Sequence, residues 1–368
     1  MKKVLFILLV LALFSCKKAN NSQGGEADGA AVTMLTFNPK ESVSIYDTPF
    51  FEKKKVLTLE VSDESLLAGY PSLLQDEAHY YIYTPNQPAP VLRFDKKGHF
   101  VNAIGAIGEG PAEYVLCSDV LYDEKEKLIS VLTDVKIKQY KSDGAYLQSI
   151  DHDLPASTFV KDEQDDCYWF YIGNNNMYSP YKLFKRNVRT GTVEKYLYEE
   201  SQLFPMIENN FSKCGTTTFR ESFNNKLYHI ANGQLTERFA VDFGPLSLPA
   251  SIHQEDPMMV LDKLNNTHYA TIRGFYENGK YAYLLISEKT EEDPIPFFFH
   301  WIIKKENNTS LLIKQVKHLS EESYLFFPQF LTGDDDLYFI GYILEQEEAL
   351  GNPEENPSIV SINLKELL

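Results

Sequence analysis

The sequence predicts an all-β chain: a six-bladed β-propeller of four-stranded antiparallel blades, its ring closed by an N-terminal strand. Three observations carry this. Apolar runs of five to eight residues, rich in Tyr, Phe, Val, Ile and Leu, are broken by Gly, Asn, Asp and Pro. No long stretch holds the 3.6-residue period of an amphipathic helix. Glycine turns recur at Gly98, Gly144, Gly191 and Gly233, spaced by 46, 47 and 42 residues. Such an interval in an all-strand chain is one four-stranded blade.

The elements follow in order. The first unit is read as strands 67–74, 80–84, 91–95 and 99–104, and the second as 118–121, 128–132, 137–140 and 145–150. Further units begin near Ser157, Thr216, His268 and Leu325. The sixth supplies three strands, 325–331, 337–344 and 358–364, so 56–61 is assigned as its fourth. That pairing hides sheet edges that would otherwise template aggregation.

Three stretches resemble a known family. They are Val56-Leu57-Thr58-Leu59-Glu60-Val61, Val91-Leu92-Arg93-Phe94-Asp95-Lys96-Lys97-Gly98 and Gly105-Ala106-Ile107-Gly108-Glu109-Gly110-Pro111-Ala112-Glu113-Tyr114. The last is similar to the Gly-x-Gly-Pro-Gly-Glu-Tyr signature of six-bladed β-propeller lipoproteins common in Bacteroidetes, which are NHL-like in architecture. Ala112 departs from the usual Gly. The resemblance implies the fold and an envelope location rather than a chemistry.

The N-terminus divides from the propeller. Lys2 and Lys3 precede an apolar run over 4–14, too short to span a bilayer. Leu13-Phe14-Ser15-Cys16 follows and resembles a bacterial lipobox, with Cys16 as the lipidated residue. The expected organisation is a signal peptide over 1–15, a lipidated flexible tether over 16–33 and the propeller over 34–368. Asp is absent after Cys16, so the resemblance favours an outer-membrane lipoprotein, facing the periplasm or the surface. Cys117, Cys167 and Cys214 form no Cys-x-x-Cys pair, which signals neither a zinc site nor a thioredoxin-like site.

Charge excludes some partners. The chain has 35 basic and 52 acidic residues, a net charge of −17. This disfavours nucleic acid, whose binding rests on a basic footprint. The acids concentrate in turns, which reads as solvation of both rims.

Strand alternation sorts the connections onto two faces. First-to-second turns are placed at 75–79, 122–127, 161–167, 220–226, 277–280 and 333–336, with the short glycine turns on the same face. The opposite face carries 85–90, 105–117, 173–181, 199–215, 244–267, 287–296 and 345–357. Long loops on a rigid scaffold are where recognition resides. Candidate binding residues are therefore Glu109, Glu113 and Tyr114 in the first crossover and Asn175, Tyr178 and Tyr181 in the third blade. The expected partner is an envelope protein, peptide or glycan, with the lipid anchor in a membrane.

An enzymatic reading is secondary. No Gly-x-Ser-x-Gly elbow or His-Glu-x-x-His motif occurs, and 105–110 lacks dinucleotide-binding spacing. Glu113, Asp119, His268 and Arg273 are the candidates for a metal-dependent hydrolase or lyase in the central channel. No cofactor is expected, except a channel-bound divalent cation under that alternative.

Overall fold

A computed structural model describes residues 31–67, 69–162, 166–200, 203, 208–292, 295–315, 323–324, 327–341, 343–344 and 355–368. The lipobox and most of the tether lie outside these residues. So do 163–165, 204–207 and 345–354 of the loops assigned above.

Six antiparallel sheets form the ring. Blade I is Ser72–Gln75, His79–Tyr83, Val91–Asp95 and Phe100–Ile104. Blade II is Asp119–Asp123, Leu128–Leu132, Lys136–Lys141 and Tyr146–Asp151. Blade III is Thr158–Asp162, Cys167–Tyr171, Tyr181–Asn187 and Val193–Tyr198. Blade V is Tyr269–Glu277, Tyr281–Lys289, Phe297–Lys304 and Thr309–Gln315. Blade VI takes Phe327–Leu331, Asp336–Gly341 and Ser358–Asn363 from the C-terminus and Lys55–Thr58 from the N-terminus. The expected closure is present, with Lys55–Thr58 antiparallel to Ser358–Ser361.

Blade IV differs from the sequence reading. Its inner strand is Phe211–Ser212, followed by Thr218–Arg220, Lys226–Ala231 and Gln234–Asp242. The expected start near Thr216 fell one strand late. Two residues between Asn209-Asn210 and Lys213-Cys214-Gly215 show no alternation for a sequence pattern to register. The shift moves 213–217 to the short-turn face and carries Arg220 to the long-loop face.

The blades pack through apolar seams. Tyr81, Tyr83, Val131 and Tyr140 join blades I and II, and Trp169, Phe170, Phe211 and Phe219 join III and IV. Phe239, Phe275 and Trp301 join IV and V. Tyr283, Ile302, Phe339 and Val360 join V and VI. Leu73, Leu92, Phe330 and Ile359 join VI and I. Strands buried on both faces read as continuous apolar runs, which is why 167–172 and 297–303 are so aromatic.

The N-terminal segment straps the outside of three blades. Thr33–Thr36 lies parallel to the outer strand of blade IV, pairing Thr33 with Phe239 and Thr36 with Asp242. Val43–Ser44 lies parallel to the outer strand of blade V. Phe37 enters the IV–V seam, edge-on to Phe299 at 5.3 Å and Phe243 at 5.7 Å. Ile45 and Phe50 enter the V–VI seam. Each fully buried ring contributes about 1.5–3 kcal/mol over its exposed state.

The seam between blades VI and I is clasped. The Glu60 amide donates to the Gly98 carbonyl at 2.8 Å, and the Phe100 amide donates to Glu60 Oε2 at 2.9 Å. Gly98 has φ of +87°, and a Cβ there would run into the Thr58 carbonyl oxygen. The buried Asn356 amide donates to the Glu60 and Ser65 carbonyls and accepts from the Leu67 amide at 2.8 Å. Thus the two chain ends are stitched together by side-chain as well as ladder bonds.

Candidate functional site

The ring axis holds two cavities, one per face. The short-turn face opens into about 640 Å³ lined by Asp76, Asp123, Asp162, Lys161, Lys213 and His229, among others. Its three aspartates are spent on structure. Asp76 accepts from Tyr81 Oη at 2.7 Å and from the His79 amide at 2.6 Å. Asp123 pairs with Lys161, and Asp162 accepts from the Gly233 amide at 2.6 Å. Cys214 also lines this mouth, and burial pushes its thiol up to about 11, away from a reactive thiolate. Among the described residues Cys117, Cys167 and Cys214 form no disulfide with one another.

The long-loop face opens into a larger cavity of about 710 Å³. Between the two lies a buried ion pair. Asp119 lines the upper cavity and Lys213 the lower, each side chain 4% exposed. Asp119 Oδ1 accepts from Tyr83 Oη at 2.6 Å, the Val120 amide at 2.9 Å and Lys213 Nζ. Its Oδ2 accepts from Thr158 Oγ1 and from the Phe159 amide at 2.9 Å. One carboxylate therefore joins blades I, II, III and IV at mid-channel. Burial and this carboxylate hold the Tyr83 hydroxyl well above its ordinary range.

The upper cavity has two unlike walls. On the arc from blade V through VI to I stand Phe298, Phe327 and Tyr70. Their rings meet edge-on, with Phe327 6.4 Å from each of the other two centroids. Tyr70 is 58% exposed. Where blades IV and V meet, Glu208 binds two arginines. Arg220 Nη1 donates to its Oε2 at 2.9 Å, and Arg273 Nη1 to its Oε1 at 2.8 Å. Burial alone would raise the Glu208 carboxyl, but Arg220 and Arg273, with the Ser222 hydroxyl, hold it below its ordinary range. Arg220 is almost fully enclosed and also reaches the Ile272 carbonyl at 3.1 Å. Arg273 is 37% exposed and faces the cavity.

The sequence candidates scatter over this framework. Asp119 and Arg273 do meet at the upper cavity, from blades II and V on opposite sides of the ring. His268 lies just before the inner strand of blade V, where Nε2 meets Glu288 Oε1 at 2.9 Å, and it lines neither cavity. Glu113 turns back on its own crossover: Oε2 accepts from the Gly110 amide at 2.9 Å, while Lys138 Nζ holds its carbonyl. Glu109 is exposed on that crossover. Tyr114 is buried, donating to the Ile104 carbonyl at 2.8 Å and accepting from the Val91 amide at 2.9 Å. The glycine-rich signature is thus a clasp between blades I and II. Asn175, Tyr178 and Tyr181 lie on the long-loop face but outside the cavity lining. Tyr178 Oη donates to the Asp153 carbonyl at 3.2 Å, and Tyr181 stacks edge-on with Tyr198 at 5.2 Å.

Several cavity residues carried no sequence signal. Asn86 and Glu208 are isolated loop residues, Tyr70 was read within the strand 67–74 but precedes the inner strand, which starts at Ser72, and Arg220 had been assigned to the other face. Among the described residues no cluster of three or more His, Cys, Asp or Glu could hold a metal ion. Both Asp119 oxygens are already saturated by protein donors. The Asp119, Glu113 and His268 set therefore does not converge on a common ligand.

Fold and site together define a class: a six-bladed propeller with a blind, half-aromatic cavity at the centre of its long-loop face. Over residues 35–368 the chain belongs to the family described as a domain of unknown function, DUF4934. Among solved structures it is similar to a Bacteroides fragilis NCTC 9343 protein inferred to be exported, with a TM-score of 0.68 and 14% identity over 90% of this chain and 99% of that one. Fainter similarity reaches the RRP9 WD40 repeats, with a TM-score of 0.47 and 9% identity over 86% of this chain and 99% of that one. At these identities the likeness is one of fold. No curated protein matches the chain. Among the described residues no helix is long and apolar enough to cross a membrane.

Proposed function

We propose that the protein is a binding module of the cell envelope, an outer-membrane lipoprotein anchored through Cys16, that captures a glycan, peptide or protein segment in its upper cavity. One observation carries the reading: the cavity presents polar groups that the fold does not use. The side-chain amides of Asn86, Gln87 and Asn209 line it with no partner among the described residues, beside the exposed Tyr70 ring. Fold-serving polar groups are normally paired, as Asp76, Asp123 and Asp162 of the lower mouth are. The volume suits a small ligand or the end of a longer one.

The test is a binding screen of the purified protein against glycan and peptide arrays, repeated with Tyr70→Ala/Asn209→Ala. Both side chains face solvent, so the double variant should keep the wild-type melting temperature. Loss of the captured ligands in the variant supports the cavity as the site. Capture that is unchanged would move recognition elsewhere on the ring.

A further inference from the structure

The upper cavity is locally cationic in a strongly acidic protein. Its ionisable lining, with Lys213 just beneath, can be balanced by charge. Asp119 is neutralised by Lys213. Glu208 is shared by Arg220 and Arg273, so two guanidinium groups face one carboxylate. One positive charge is left over, in a chain whose net charge is −17.

The excess resides on Arg273. Arg220 is spent on structure, being 2% exposed and bonded to Glu208 and the Ile272 carbonyl. Arg273 is the exposed partner, and among the described residues Glu208 is its one ion-pair partner. A guanidinium has five N–H donors in a planar fork, so Arg273 keeps donors free for a second carboxylate. Glu208 fixes its orientation, which lowers the ordering cost of binding an anion. The low exposure around it strengthens a charge-assisted bond.

The rest of the lining narrows the ligand. A phosphate would need only the cation. Here the cation shares its cavity with aromatic faces at Tyr70, Phe298 and Phe327 and with side-chain amides at Asn86 and Asn209 that have no partner among the described residues. Aromatic rings stack on the apolar C–H faces of sugar rings, and amides bond vicinal hydroxyls in both directions. Resting on the reading of this cavity as a ligand site, we propose that it binds an acidic saccharide, a uronate-bearing glycan end whose carboxylate seats on Arg273.

The experiment is calorimetric titration of the purified protein with digalacturonic acid, its neutral dimethyl ester, and a tripeptide with a free C-terminus. The acid should bind at least tenfold more tightly than the ester, and the gap should shrink as salt is raised from 50 to 500 mM. Arg273→Gln should remove the gap, with the acid falling to the ester's affinity in the same variant. That variant keeps the Arg220–Glu208 pair, so its melting temperature should stay close to wild type, and Arg273→Lys should recover part of the gap. Equal binding of acid and ester at the cavity would overturn the acidic assignment and leave the cavity reading standing. So would preference for the peptide. Absence of binding by all three probes would overturn the saccharide proposal, whereas failure of the array screen as well would overturn both.

Discussion

At the scale of single residues, the core holds polar groups that are expensive to misplace. His300 is one. It sits between blades V and VI, with Nδ1 accepting from Tyr283 Oη at 2.6 Å and Nε2–H donating to Gln315 Oε1 at 3.2 Å. Burial depresses its imidazolium to a pKa of about 4. The unfolded chain binds that proton near the ordinary value of about 6.5. Stability is therefore full above pH ~6.5, falls as pH drops, and levels once the native ring itself protonates near pH 4. Urea unfolding between pH 7 and 4 should show that loss, and His300→Gln should flatten it. An unchanged slope in the variant would assign the loss to other groups. Asp119 and Arg273 were legible because inner strands of a propeller line its axis. Glu208 was not, because a loop carries no period to fix which way a side chain faces, and Tyr70 was not, because the strand read over 67–74 starts only at Ser72. Arg220 was hidden by the two-residue inner strand before it.

At the scale of elements, the glycine turns that revealed the repeat have unequal structural demands. Gly98 and Gly191 both have positive φ, +87° and +71°. A Cβ at Gly191 meets nothing within 4 Å, whereas one at Gly98 strikes the Thr58 carbonyl. Gly191→Ala should cost about 1–2 kcal/mol, the left-handed penalty alone. Gly98→Ala should cost more, because backbone at the VI–I seam must also move. Equal losses in denaturant titration would show that the seam yields freely. The blade period, the third-to-fourth turns and the closing strand were all legible, since each rests on alternation or a turn glycine. The parallel strap strands were not. Thr33–Thr36 and Val43–Ser44 are short and edge-on, and their pairing depends on a path around the ring rather than on local pattern.

At the scale of the whole molecule, the ring is a closed circuit whose last joint is made by residues some 300 apart: Lys55 pairs with Ser361. Closing so long a loop is a slow, high-contact-order event. Asn356 fastens that joint through three hydrogen bonds, two of them fully buried. Asn356→Ala should cost about 1–3 kcal/mol for each buried partner left unsatisfied, less whatever the seam recovers by relaxing. Hydrogen exchange should rise first at Lys55–Thr58 and Ser358–Asn363, with blades II and III unaffected. Uniform exchange over all six blades would mean that the ring opens only by global unfolding.

The strap also has a direction. The outer strand of blade IV runs from the Asn232-Gly233 turn on the short-turn face toward the long-loop face, and Thr33–Thr36 runs parallel to it. The chain therefore meets the ring from the short-turn side. Tension applied from there acts along the strand, so its backbone bonds are loaded together in shear instead of peeling one by one. A protein held by its N-terminus in this way would bear load first on its blade IV flank. Its cavity mouth would face away from the point of attachment.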